Sequence, residues 1–387
     1  MKIGIVGKPS SGKTTFFDAA TLANAEIASY PFTTIQPNLG TAFVRFPCPH
    51  KELGKKCNPK NSPCLNGTRL IPVQLLDVAG LVPGAHEGRG LGNQFLDDLM
   101  DADGLVHVVD MSGKTDAEGN PTEGHDPNED IEFLEKEIDF WLLGILKKNW
   151  ETIKRRARMN AKLDELIYQQ LSGLNMNKDE IKAIVNELEI TPDSNDEKLL
   201  ELVREIRKRN KPILIAGNKI DLKEAKENYE KLRRDDLIPT SAESELALKK
   251  ASDAGLIDYL PGSSDFKVIK DLDEKQKKAL DYIKKNVLEP FGNTGVQQVL
   301  EKMVFEVLKM KVVFPVEDET HWTDKNGNVL PDAYLLPENA TALDLAYKIH
   351  TEIGKRFIGA IDCKTKRKIG KEHILKNGDV IKIITRG

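Results

Sequence analysis

Gly7-Lys8-Pro9-Ser10-Ser11-Gly12-Lys13-Thr14 follows the apolar stretch Lys2-Ile3-Gly4-Ile5-Val6 and leads into Thr15-Phe16-Phe17-Asp18-Ala19-Ala20-Thr21-Leu22. The spacing is G-x-x-x-x-G-K-S/T, set between a strand pattern and a helix pattern. A glycine turn at a helix N-terminus presents a row of backbone N–H groups, which suits phosphate oxygens. Gly7 and Gly12 let the backbone close on a ligand without a Cβ in the way. Ser10, Ser11 and Thr15 belong to the same cradle. Lys13 is placed for β- and γ-phosphates, and the Thr14 hydroxyl for Mg²⁺. The alternative is an accidental glycine turn, which the flanking strand and helix disfavour.

Two further strand ends carry chemistry that fits this loop. Ile71-Pro72-Val73-Gln74-Leu75-Leu76 runs into Asp77-Val78-Ala79-Gly80, a D-x-x-G. Asp77 there suits the Mg²⁺ shell, and the Gly80 N–H suits a γ-phosphate, so the following loop can sense that group. Pro212-Ile213-Leu214-Ile215-Ala216-Gly217 ends in Asn218-Lys219-Ile220-Asp221, an N-K-x-D. The Asp221 carboxylate can accept from guanine N1–H and its 2-amino group. Adenine offers an acceptor at N1 and no amine, and an unpaired buried charge rejects it. The Lys219 stem can stack on the base, and Asn218 can tie loops together. Ile238-Pro239-Thr240-Ser241-Ala242 leaves another strand, and the backbone at Ser241 and Ala242 suits guanine O6. Four such motifs in order, each at the end of an apolar run, predict a guanine-nucleotide pocket with GTP or GDP as ligand.

Residues 47–69 interrupt this series and hold Cys48, His50, Cys57 and Cys64. Three thiolates and an imidazole suit tetrahedral zinc, although the spacing is not a paired C-x-x-C. One disulfide with a spare thiol, or unlinked thiols, are the alternatives. Cys363 lies apart, as a small apolar packer.

These motifs need a parallel sheet with loops at one edge. The expected fold is α/β, a P-loop NTPase with a doubly wound, mostly parallel sheet, an inserted α-helical domain and a separate small C-terminal domain. The strand at 105–110 and that at 212–217 are separated by about 100 residues, far more than one crossover helix requires. Helical periodicity appears near 129–149, 150–171, 178–188 and 195–209. The expected domains are 1–111 with 211–310 for nucleotide binding, 112–210 for the helical insert, and 311–387 for the small tail. The insert has Lys147, Lys148, Lys154, Arg155, Arg156, Arg158 and Lys162 around Trp150. That set could grip an RNA backbone and stack a base, or simply form a solvated helix face. From Lys348 onward there are 11 Lys/Arg against 4 Asp/Glu, an excess that attracts phosphate or merely aids solubility.

The whole chain has 387 residues, a hydrophobic fraction of 40%, a charged fraction of 30% and a net charge of −4. Length predicts about two to three domains. No global polycation is present, no DNA partner is expected, and any nucleic-acid contact must come from a local patch. The first strand starts at residue 2, which leaves no room for a signal peptide, and no apolar run approaches the roughly 18 residues of a membrane span. A cytoplasmic protein without a membrane partner is expected.

Tyr30-Pro31-Phe32-Thr33-Thr34-Ile35-Gln36-Pro37-Asn38 and Gly84-Ala85-His86-Glu87-Gly88-Arg89-Gly90-Leu91-Gly92-Asn93-Gln94-Phe95-Leu96 closely resemble the two switch regions of the Obg/YchF group of translation-associated GTPases. The carboxyl-terminal part resembles a TGS domain, which implies a C-terminal β-grasp fold for residues 311–387. The resemblance implies a GTPase that needs Mg²⁺ and associates with the ribosome, rRNA or tRNA. It makes Thr34 the switch threonine at Mg²⁺ and γ-phosphate, with Thr33 as the alternative. YchF proteins typically carry N-x-x-E and prefer ATP; Asp221 stands in that place here and favours GTP. Many K⁺-stimulated relatives have Asn where Ser10 stands, which leaves potassium activation in doubt. Leu81 follows D-x-x-G where Ras-like enzymes place a water-orienting glutamine. Slow intrinsic hydrolysis that a partner stimulates is therefore expected. His86 is the polar candidate to reach the attacking water, or else a loop histidine facing solvent or packed locally. Arg89 is a weaker candidate for an internal cation at the γ-phosphate. The rivals are a YchF-type ATPase and a nucleotide-gated RNA-binding adaptor with negligible hydrolysis.

Overall fold

The computed structural model describes residues 1–21, 38–78, 101–172 and 176–386. The chain groups into two compact units. One comprises Met1–Leu22, Gln36–Gly40 and Gln74–Val299; the other comprises Ala23–Ile35, Thr41–Val73 and Leu300–Gly387.

The larger sheet takes β1 (Lys2–Val6), β2 (Leu39–Pro47), β3 (Cys64–Leu65), β4 (Thr68–Asp77), β5 (Gly104–Asp110), β6 (Ile213–Asn218) and β7 (Leu237–Pro239). The strand order is β2-β4-β1-β5-β6-β7, with β3 paired to β4. From β4 to β7 all pairings are parallel. Such strands are covered on both faces, and β1 and β5 accordingly read as nearly unbroken apolar runs, with Ile3, Ile5, Val6, Leu105 and Val106 all fully buried. Parallel pairing also brings the carboxyl ends of β1, β4, β5, β6 and β7 to one edge, where α/β sheets bind ligands.

In the first unit, α1 (Lys13–Thr21) follows β1, and α2 (His50–Leu53) belongs to the second unit. The helical insert contains α3 (Pro127–Lys148), α4 (Trp150–Arg158), α5 (Leu163–Leu171), α6 (Lys178–Glu187) and α7 (Asp196–Asn210). The Asp126 side chain caps α3 by accepting from the Asn128 N–H, with Pro127 in the first turn. The single helix expected over 150–171 is two, because the chain turns at Asn160 with φ +69°. Trp150 is only 6% exposed and packs in the core with Leu146, Ile153 and Ile167, so the proposed RNA-stacking role for it does not hold. That core runs from Val6, Val78 and Leu105 on the sheet to Leu134 and Leu142 on α3 and Leu202 on α7. A buried ion pair, Arg207 Nε to Asp139 Oδ1 at 2.6 Å, joins α7 to α3. After β6 come α8 (Lys223–Lys231), α9 (Ala242–Asp253), a ribbon of β8 (Ile257–Asp258) and β9 (Lys267–Val268), and α10 (Glu274–Ile283), which continues into a π-helical segment, Lys284–Leu288.

In the second unit a five-stranded sheet has the order β11-β10-β14-β12-β13, from β10 (Lys311–Val316), β11 (Tyr334–Leu336), β12 (Phe357–Asp362), β13 (Arg367–Ile369) and β14 (Asp379–Thr385). β10 and β14 are parallel neighbours, and α11 (Ala342–Ile349) packs across the sheet through Leu345. This is the β-grasp arrangement. A capping box between Thr341 and Asp344 starts α11.

Candidate functional site

The phosphate loop leaves β1 between β4 and β5, with Ile5 in register with Asp77. Gly7 and Gly12 are required by geometry. A Cβ at Gly7 would lie 2.6 Å from the Val108 carbonyl oxygen, and one at Gly12, where φ is +90°, would lie 2.3 Å from Asn218 Nδ2. Ser10 holds a left-handed φ of +63°. Lys13 Nζ donates to Asp77 Oδ1 at 2.5 Å and to the Val78 carbonyl at 2.8 Å. Thr14 is exposed at the start of α1, and Thr15 is half-buried. Ser11 Oγ is fully buried without a hydrogen-bond partner. The unpartnered hydroxyl, the two glycines without room for a side chain and the lysine ammonium fit a phosphate group. The Thr14 hydroxyl and Asp77 carboxylate are hard oxygen donors of the kind Mg²⁺ takes.

The base-reading side is fastened to this loop. Asn218 ends β6 opposite Asp110 of β5 and is 3% exposed. Its Nδ2 donates to the Ser11 carbonyl at 3.0 Å, and its Oδ1 accepts from the Ala242 N–H at 3.0 Å. Lys219, at φ +66°, donates from Nζ to the Ser10 carbonyl at 3.0 Å and to Asp110 Oδ2 at 2.7 Å. Asp221 Oδ1 accepts from Ser241 Oγ at 2.9 Å. The structure thus gathers Ser10, Ser11, Gly12, Asn218, Lys219, Asp221, Ser241 and Ala242 at one place.

Three supports were not anticipated from sequence. Asp110 also accepts from the Ser112 N–H at 2.9 Å and from Thr115 Oγ1 at 2.9 Å. Burial pushes its acidity down, but the hydrogen bonds from Lys219 and Ser112 outweigh that and hold its carboxyl below the usual range. Tyr282 OH on α10 donates to Asp221 Oδ2 at 3.3 Å. The buried Glu245 accepts from Tyr259 OH at 2.7 Å and from Thr294 Oγ1, while the Thr294 carbonyl accepts from the Ser241 N–H at 2.8 Å. Asp110, at the end of an apolar strand, had a visible signal. Tyr282 and Thr294 had none, since long stretches of chain separate them from the motifs. Thr33, Thr34, Gly80, Leu81, His86 and Arg89 lie outside the described residues.

In the second unit the donor atoms of Cys48, His50, Cys57 and Cys64 all lie within 4.8 Å of one another. The four cysteines of the chain carry free thiols, against the disulfide alternative.

Against known proteins, the chain is 52% identical to a GTP-binding protein of Methanocaldococcus jannaschii, over 99% of this chain and 98% of that one. The chain belongs to the Obg/YchF family of P-loop GTPases. Three family models match: 50S ribosome-binding GTPase over residues 2–143, Obg-like GTPase YGR210-like, G4 motif-containing domain, over 216–318, and the TGS domain over 322–385. A crystal structure of a GTP binding protein from Pyrococcus horikoshii matches with 41% identity and a TM-score of 0.79, over the full length of both chains. A ribosome-binding ATPase YchF of Buchnera aphidicola is 27% identical over 98% of each chain. The family's core, helical insert and TGS domain are those described above, and this Obg/YchF protein is GTP-binding. Among the described residues, no helix is long and apolar enough to cross a membrane.

Proposed function

We propose that this Obg/YchF protein hydrolyses GTP to GDP and phosphate and acts as a nucleotide-controlled switch on the ribosome. The observation that carries the reading is Asn218, whose amide joins the phosphate loop at Ser11 to the base-side loop at Ala242. Phosphate and guanine readers are then one object, so a ligand that satisfies both gains from each. In this reading Gly7, Ser11, Gly12, Lys13 and Thr15 surround the phosphates. Asp221 accepts from guanine N1–H and the 2-amino group, with Ser241 and Ala242 beside it.

Thr14, Asp77 and the switch residue Thr34 are the groups that would hold Mg²⁺, which when bound supplies positive charge against the phosphate oxygens. Lys13 already draws its acceptors from Asp77 and Val78, and phosphate oxygens offer further acceptors to the same ammonium. In the reaction, water attacks the γ-phosphorus, and the bond to the β-γ bridging oxygen breaks. Leu81 can neither donate to that water nor accept from it, so intrinsic turnover is slow. In this reading His86 reaches the attacking water and the Gly80 N–H meets the γ-phosphate.

Ribosome association rests on the name of the 27%-identical YchF relative and on the family model over 2–143. That relative's name also supports an ATPase reading, which Asp221 opposes. The test is single-turnover hydrolysis of γ-labelled GTP with and without ribosomes. Slow release alone and at least tenfold faster release with ribosomes is expected. Release that ribosomes leave at the background rate would instead favour an RNA-binding adaptor.

A further inference from the structure

Cys48, His50, Cys57 and Cys64 come from the turn after β2, the start of α2, the following loop and β3. The β3–β4 hairpin aims the last of them. It turns at Asn66 (φ +49°) and Gly67 (φ +83°), an Asn-Gly pair suited to a tight hairpin, and the Cys48 N–H donates to the Gly67 carbonyl at 2.9 Å. Cys48 Sγ lies 3.9 Å from Cys57 Sγ, and Cys64 Sγ lies 3.7 Å from His50 Nδ1. Tetrahedral zinc, with Zn–S near 2.3 Å and Zn–N near 2.0 Å, requires S···S edges of about 3.8 Å and S···N edges of about 3.5 Å. A disulfide requires about 2.05 Å between sulfurs. Three soft thiolates and an imidazole, with no carboxylate among them, select zinc over Mg²⁺ or Ca²⁺.

The loop held between Cys57 and Cys64 is also where the carboxyl-terminal segment seats. The Asn58 N–H donates to the Val329 carbonyl at 2.9 Å, and the Lys60 N–H to the Pro331 carbonyl at 2.7 Å. Asn61 exchanges two hydrogen bonds with Ala333, at 3.0 and 2.9 Å. Arg69, fully buried beside the hairpin, donates to the Leu330 carbonyl at 2.6 Å and lies over the Phe314 ring at 5.5 Å. The loop itself, Asn58-Pro59-Lys60-Asn61-Ser62-Pro63, has almost no apolar surface with which to fix its own shape. We propose that Cys48, His50, Cys57 and Cys64 bind one structural zinc ion, and that this knuckle is the socket for the segment 329–333 at the edge of the TGS domain. The metal sets the loop, and the loop's backbone and Asn61 then meet the segment's carbonyls.

The full chain, purified without chelator, is assayed for metal by mass spectrometry, then stripped and reloaded with Zn²⁺ or Co²⁺. One zinc per chain and a tetrahedral thiolate spectrum with Co²⁺ are expected. Cys57→Ser and Cys64→Ser should lose the metal, while His50→Cys, which keeps four soft donors, should retain it. Hydrogen exchange on stripped protein should rise at least tenfold in 58–61 and 329–333 and stay unchanged in 216–221. No zinc uptake by the reduced wild-type chain, or a disulfide among these cysteines in freshly purified protein, overturns the site. Bound zinc whose removal leaves exchange at 329–333 unchanged overturns the socket. If the serine variants fail to fold, the wild-type metal content and Co²⁺ spectrum decide alone.

Discussion

Asn218 decides whether the nucleotide pocket is one object or two. Replacing it with alanine strands the Ser11 carbonyl and the Ala242 N–H, both in buried surroundings. Asn218→Ala should therefore cost about 2–3 kcal/mol of stability and weaken GTP and GDP together, since each unmet buried group costs roughly 1–3 kcal/mol. Urea midpoints and nucleotide titration check both effects; unchanged stability would mean that the amide bridges nothing of consequence. Tyr282→Phe removes an exposed hydroxyl that donates to Asp221 Oδ2 and to the Asp221 carbonyl, both at 3.3 Å, so a loss in GDP affinity below about fivefold is expected, as for long, solvent-exposed bonds together worth ~0.5–1 kcal/mol. A larger loss would make Tyr282 part of base recognition. At this scale the sequence was most legible where chemistry sits in short runs. Asp77 and Asn218 end the apolar strands β4 and β6, Lys13 and Asp221 follow β1 and β6 a few residues on, and parallel pairing delivers all four to one edge. Tyr282 and Thr294 were not legible, because only the packing of α10 and the 293–295 turn brings them to the loop.

Among the elements, β5 carries a pH dependence. His107 is 3% exposed, and burial, aided by the Lys8 charge, pushes its pKa from 6.5 down to about 3. The folded chain keeps this imidazole neutral, whereas the unfolded chain protonates it below 6.5. Between those values the unfolded state binds more protons, so stability falls as the pH drops through that window, by up to ~1.4 kcal/mol per pH unit. His107→Asn should lessen the loss between about pH 6.5 and about pH 5 by roughly 1–2 kcal/mol. Urea midpoints of both proteins at the two pH values test this, and equal losses would contradict it. Helix periodicity located α3, α6 and α7, but it ran α4 and α5 together because apolar spacing continues across Asn160. It also left Trp150 among cations, although the tryptophan faces the helical core. The Asn-Gly pair at 66–67 is a readable hairpin signal, and the β3–β4 hairpin it makes aims Cys64.

At the scale of the whole molecule, the account joins a guanine-nucleotide pocket to a partner. Sedimentation with ribosomes should differ among chain bound to a GTP analogue, chain bound to GDP and empty chain; equal pelleting in all three would contradict a switch. The central claim lies earlier than any partner: one edge of a parallel sheet reads both the phosphates and the guanine base. Competition against labelled GDP on the full chain, wild type beside Asp221→Asn, tests that most directly. The account predicts that wild type is displaced by GTP at concentrations at least tenfold below those of ATP, and that Asp221→Asn loses roughly 10–100-fold in GTP affinity, the worth of hydrogen bonds to a charged acceptor. Equal displacement of wild type by ATP and GTP, or an Asp221→Asn chain with its guanine preference intact, would contradict it.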